Sequence, residues 1–186
     1  MEKSEIVELI KTALTELDNN DSNIFQTKKP KSGSTTFTER EINRELHETA
    51  LNHRLAVYFE NYLKLIKISD FSVDIEYNRN FSQPKVLKTK GVKTSVRPDI
   101  LIHKRQDTTK TFNLLVVETK KGKISSHDIN KVKAFILDPE YLFKFGLTIS
   151  YCYDQNQIKG RLYFRNSSNH IVEEEINVPR KTVNLC

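Results

Sequence analysis

Cysteine is scarce in this chain: among 186 residues only Cys152 and Cys186 carry a thiol. One lies in a strand-like run and the other at the last position, so the pair builds neither a disulfide framework nor a cysteine-rich zinc site. No apolar run approaches the roughly 18 residues of a membrane span. The polar N-terminal stretch has no signal-peptide core. These absences predict a cytoplasmic protein with no membrane partner. Other signatures are missing as well: there is no glycine-rich phosphate loop, no G-x-G-x-x-G, no nucleophile–histidine–acid pattern, no repeat and no low-complexity segment. His47 and His53 do not make an H-E-x-x-H metal motif, because the position four after His47 is Leu51. What remains is an ordinary globular composition, 37% hydrophobic and 29% charged, with a formal net charge of +6. That excess of positive charge favours a polyanionic partner or an anionic membrane over a basic substrate.

The length suits one domain with a terminal appendage. Residues 5–17 space Ile6, Leu9, Ile10, Ala13, Leu14 and Leu17 at helical intervals. This stripe has to be buried against the body of the domain or a partner; the body is preferred, because a short isolated helix is marginal. Residues 18–36 are polar and aperiodic and read as a linker, with Lys28, Lys29 and Lys31 able to brush a phosphate backbone. The boundaries are therefore 1–36 for helix and linker, and 37–186 for the domain proper.

A long helix is predicted next, opened by a Thr38/Glu41 capping box and continuing through Ile42, Leu46, Leu51, Leu55, Phe59 and Leu63 to about Ile66. Glu48 stands close to its inward stripe and is expected to face a pocket. Residues 71–77 alternate as a strand. Residues 80–96 are basic and form a loop or small hairpin that can lie along nucleic acid, with Lys88, Lys90 and Lys93 as contacts beside Arg54 and Arg79. A helix is expected from Ser125 or Ser126 to about Leu137, and a strand over 145–153. A turn at 156–160, a strand over 161–164 and an edge strand over 171–178 complete the chain.

Between these lies the stretch that carries chemistry. Arg97 to His103 and Asn113 to Gly122 read as two apolar strands joined by a turn in 107–110. That pairing sets Asp99 opposite Glu118, and Lys120 shares the face of Glu118. Buried charges are costly unless paired or bound to a metal. Two carboxylates at the ends of adjacent strands make a hard oxygen site suited to Mg2+, with Mn2+ as a substitute, and the Thr119 carbonyl can add a ligand. Lys120 stands where it can assist an attacking water and offset charge on the phosphorane. Glu48 can bind the metal through water or hold a second ion.

Pro98-Asp99 together with Glu118-Thr119-Lys120 resembles the PD-(D/E)xK signature of restriction-endonuclease-like nucleases. The run from Glu48 to Tyr58 and the set Glu76-Tyr77-Asn78-Arg79 are similar to patterns in a bacterial and phage branch of that superfamily. The resemblance covers about Phe37 to Tyr153. It implies an α/β fold with an αβββαβ core and a central mixed sheet flanked by helices. It also implies divalent-metal dependence and hydrolysis of a nucleic-acid phosphodiester, usually in DNA, with RNA possible. The expected protein is thus an endonuclease. It dimerises if it cuts both strands, and the N-terminal helix is the first surface expected to serve for that. The alternative is a binding module or nuclease subunit that keeps the fold with little or no activity.

Overall fold

The computed structural model describes residues 1–21, 47–68, 70–77, 79–80, 83–89, 92–105, 113–154 and 156–181; for residues 79–80, 83–84, 88–89 and 92–94 only the backbone is described. The Thr38/Glu41 capping box, the linker over 22–36, the turn in 107–110 and Cys186 lie outside the described residues.

Two strongly apolar strands pair inside the sheet. β6 (Ile100–His103) and β7 (Asn113–Lys120) pair antiparallel, with Ile100 opposite Val117 and Leu101 opposite Val116. β1 (Ser72–Ile75) lies outside β6, while β8 (Phe145–Ser150) runs parallel to β7. β9 (Gln157–Arg165) and β10 (Ile171–Pro179) extend the sheet antiparallel, giving the order β1-β6-β7-β8-β9-β10. The parallel step requires a crossover, and α3 (Ser126–Leu137) supplies it between β7 and β8. Ser125 caps α3 as expected, its hydroxyl accepting from the Asp128 N–H while the Asp128 carboxylate accepts from Ser125.

Both sheet faces are covered, so β6 and β7 are apolar on both sides. On one face α1 (Lys3–Asn20) and α2 (Glu48–Leu65) pack on Ile100, Ile102, Leu115, Val117, Leu147 and Ile149. On the other, α3 sets Val132, Phe135 and Ile136 against Leu101, Val116 and Tyr163. Gly146 permits this approach: a Cβ there would stand 2.2 Å from Val132 Cγ1. The structure is thus a mixed sheet flanked by helices.

α1 is not an appendage to this core. Ile6, Leu9, Ile10, Ala13, Leu14 and Leu17 are all fully buried with α2 and the sheet. The apolar face of α1 is therefore spent inside its own chain and is not a surface for a second copy. The basic excursion before β6 holds two small hairpins, β2 (Arg79–Asn80) with β3 (Gln83–Pro84), and β4 (Val86–Thr89) with β5 (Val92–Ser95). β9 begins at Gln157, so the expected turn at 156–160 is strand from that residue on. Gly160 suggested a reversal but marks a close approach instead: a Cβ there would meet the Ile176 carbonyl oxygen at 2.7 Å. The strand expected over 145–153 ends at Ser150, and β10 is the edge strand, as the three glutamates that break its alternation predict.

No helix among the described residues is long and apolar enough to cross a membrane.

Candidate active site

The pairing of Ile100 with Val117 carries Asp99 to the position across from Glu118 when continued one step, as the sequence predicts. Asp99 sits in a bend just before β6. Its Oδ2 accepts from the Thr119 N–H at 2.7 Å and lies 3.1 Å from the Thr119 hydroxyl. Its carbonyl accepts from the N–H of Glu76, a non-glycine residue held at φ 50° where β1 ends. The backbone of β7 and the end of β1 thus fix Asp99 from two sides.

Glu118 is only 2% exposed, on the face of β7 that α3 covers. Lys131 of α3 reaches in and sets its Nζ 2.7 Å from Glu118 Oε1. The two form a buried ion pair, and Lys131 is the nearest cation to that carboxylate. Burial, reinforced by the Asp99 charge, pushes the Glu118 carboxyl up to about 8 despite Lys131 and Lys120.

Lys120 continues β7 toward α2, its Nζ 3.5 Å from Glu48 Oε1. Partial burial alone would lower its pKa, but Glu48, Asp128, Asp99 and Glu118 together raise it. Lys120 is therefore a cation at neutral pH, suited to hold negative charge rather than to abstract a proton. Glu48 opens α2, where the helix dipole favours a carboxylate, and its Oε2 accepts from the Lys121 N–H at 3.0 Å. Glu48 is thus turned to Lys120 and Lys121. Among the described residues no three His, Cys, Asp or Glu side chains gather closely enough to hold a metal.

Behind Asp99 lies a layer the sequence reading did not assign. Thr119 is fully buried, and its hydroxyl stands 2.8 Å from Asn52 Oδ1, donating to Asn52 or Asp99 one at a time. Tyr151 OH donates to the same Asn52 oxygen at 2.9 Å. Asn52 follows Glu48 by four residues and so shares its helix face, which is the one signal that marked it. Lys131 carried no signal beyond its place on an early turn of α3.

The other predicted residues separate. Arg54 donates to both carboxylate oxygens of Asp21, at 2.9 and 3.0 Å, and to Tyr58 OH, pinning the end of α1 to α2. Lys88 and Lys93 face each other across β4 and β5, and Arg79 lies in β2, but their side chains are outside the description. Lys90 and Asn78 fall outside the described residues.

The residues fit a divalent cation in one respect that the structure itself supplies. Asp99 and buried Glu118 lie close enough for the charge of one to raise the pKa of the other, the hard oxygen pair that Mg2+ prefers. Neither a search against protein-family models nor one against curated proteins finds a match to this sequence.

Proposed function

We propose that this chain is a metal-dependent nuclease of the restriction-endonuclease-like PD-(D/E)xK type, acting as an endonuclease on DNA. The observation that carries the reading is the convergence of Asp99 and buried Glu118 at neighbouring strand ends, with Lys120 two residues beyond Glu118. In this reading Asp99 and Glu118 hold Mg2+, or Mn2+ in its place, and the Thr119 carbonyl is a candidate further ligand. When bound, such an ion supplies Lewis acidity to the scissile phosphoryl group and the attacking water.

The protein's part is orientation and charge. Thr119 fixes Asp99 through its N–H, and Asn52, itself held by Tyr151, accepts from the Thr119 hydroxyl. Glu48 holds Lys120 as a cation beside the carboxylate pair, where it orients the attacking water and offsets charge that develops on the phosphoryl oxygens. The net charge of +6 supports a polyanionic substrate, DNA ahead of RNA. Cutting both strands would call for a homodimer. The buried free thiol of Cys152 accords with a cytoplasmic location.

One observation favours a second reading, a binding module or nuclease subunit without turnover. Glu118 is already matched by Lys131, and Lys120 by Glu48, so the charges are internally paired. Cleavage of plasmid, linear duplex, single-stranded DNA and RNA in Mg2+, Mn2+ or EDTA separates the two. Metal-dependent cutting that Asp99→Ala and Lys120→Ala abolish is expected. Binding without cutting under every condition would establish the second reading instead.

A further inference from the structure

On the α3 side, β8, β9 and β10 run out from under their helix. Rows of paired residues cross this open face: Thr148 beside Arg161 beside Glu175, and Ser150 beside Lys159 beside Asn177. Their neighbours Leu147, Ile149, Ile158, Leu162 and Ile176 point the other way into the core. A plain amphipathic sheet would leave the polar face flat and hydrated. This one is recessed: Thr148, Ser150 and Tyr163 are buried, and the groove above them has a volume of about 390 Å³. Small-ligand pockets span roughly 300–1,000 Å³.

Two features point to an occupant. Tyr163 lines the groove, and its buried hydroxyl, close to Thr148 and Arg161, makes no hydrogen bond of good geometry. A ligand atom that completes it removes the cost of a buried, unmade hydrogen bond. The rim carries three cations among carboxylates: Lys123 borders it, Lys159 pairs with Asp154 at 3.0 Å, and Arg161 pairs with Glu175 at 3.0 Å and with Glu173 at 3.3 Å. These pairs are partly solvent-exposed and so contribute little, which leaves Lys159 and Arg161 able to exchange onto a phosphate through stronger charge-assisted bonds. Ile124, Ile129 and Tyr153 give the same groove an apolar and aromatic wall, while Gln157 and Asn177 offer paired donors and acceptors. Phosphate-binding cations, a flat apolar wall and edge-reading amides together describe one nucleotide.

We propose that this groove binds a single nucleotide unit, phosphate toward Lys159 and Arg161 and base against Ile124 and Tyr153. The site goes beyond the cleavage reading, and none of Asp99, Glu118 and Lys120 lines it. The test is amide chemical-shift titration of the full chain, without metal, against nucleoside monophosphates, inorganic phosphate and tetranucleotides, with Tyr163→Phe and Arg161→Gln beside the parent. Saturable shifts at Thr148, Ser150 and Tyr163 are expected with mononucleotide at millimolar concentration and not with phosphate alone. Tyr163→Phe should weaken binding about tenfold. Tighter binding of the tetranucleotide identifies a strand as the source, and mononucleotide binding alone a free nucleotide. Should Tyr163→Phe fail to fold, Arg161→Gln carries the test with the same expected direction. No shifts with either nucleotide form, equal shifts with phosphate, or undiminished binding by a folded variant would overturn the site. Any of these leaves the cleavage reading standing, because the metal-dependent cutting assay is independent of them.

Discussion

Lys131 and Glu118 face each other at 2.7 Å largely shielded from solvent, with 15% and 3% of their side chains exposed. One comes from α3 and the other from β7, so the pair ties the crossover helix to the candidate site. Lys131 Nζ also donates to the Arg97 carbonyl at 2.9 Å, next to the Pro98-Asp99 bend. Removing Lys131 leaves Glu118 buried without its nearest compensating cation. Lys131→Met is expected to lower unfolding free energy by about 1–3 kcal/mol at about pH 9, where Glu118 is ionised, and by less at pH 7, where its raised pKa leaves the carboxyl largely protonated. Chemical denaturation measures this. Lys131→Met/Glu118→Gln should recover most of the loss, and a Lys131→Met protein as stable as the parent would show that the pair contributes nothing.

Glu118 makes stability depend on pH, and under the proposed function it makes metal binding do so as well. Its folded pKa is raised to about 8, so the folded state binds this proton more tightly than the unfolded chain does. The corresponding stability is fully present below the ordinary carboxylate range and is lost as pH rises toward 8. A divalent ion needs the carboxylate, so binding releases the proton, and affinity should climb by up to about tenfold per pH unit below that value. Calorimetric titration of Mg2+ in buffers of different ionisation enthalpy reads the proton directly. Glu118→Gln should abolish both the proton release and the binding.

Asp74 gives the opposite dependence. Burial raises its pKa, but hydrogen bonds from Arg105 and His103 outweigh burial and hold it well below the usual carboxylate range. Its contribution is present above that range and is lost as pH falls through the depressed folded value. Asp74→Asn should cost about 1–3 kcal/mol at pH 7 and flatten the acid limb of the stability profile. Equilibrium unfolding between neutral and acid pH checks both.

Gly160→Ala forces a Cβ to 2.7 Å from the Ile176 backbone oxygen, where no flexible side chain can yield. β10 must shift relative to β9. A destabilisation of about 1–3 kcal/mol is expected, with faster amide exchange along β10 than along the central strands. Uniform exchange across the sheet would argue against a local effect.

Much of the fold was legible because it rests on periodicity. The 3.6-residue spacing from Ile6 to Leu17, the apolar runs of β6 and β7 and the Ser125/Asp128 cap each specify a local structure that tertiary packing then accepts. The register of the central hairpin was also readable, since a one-residue slip would turn every buried side chain to the wrong face. Gly160 misled because glycine serves turns and close approaches alike, and only the neighbouring strand decides between them. The Asp21 partner of Arg54 was not legible for another reason: a basic residue's partner is invisible until two helices are packed together.

The sequence by itself determined that Asp99, Glu118 and Lys120 stand on one hairpin, because strand geometry fixes neighbours two residues apart and across a ladder. Tertiary structure decided the environment of each. It brought Lys131 to Glu118 and Glu48 to Lys120, and set Asn52 behind Thr119, from helices distant in the chain. Electrostatic energy depends on distance and burial, and neither is a local property of the chain. That is why the carboxylates could be located from the sequence while their charges could be assigned only in the fold.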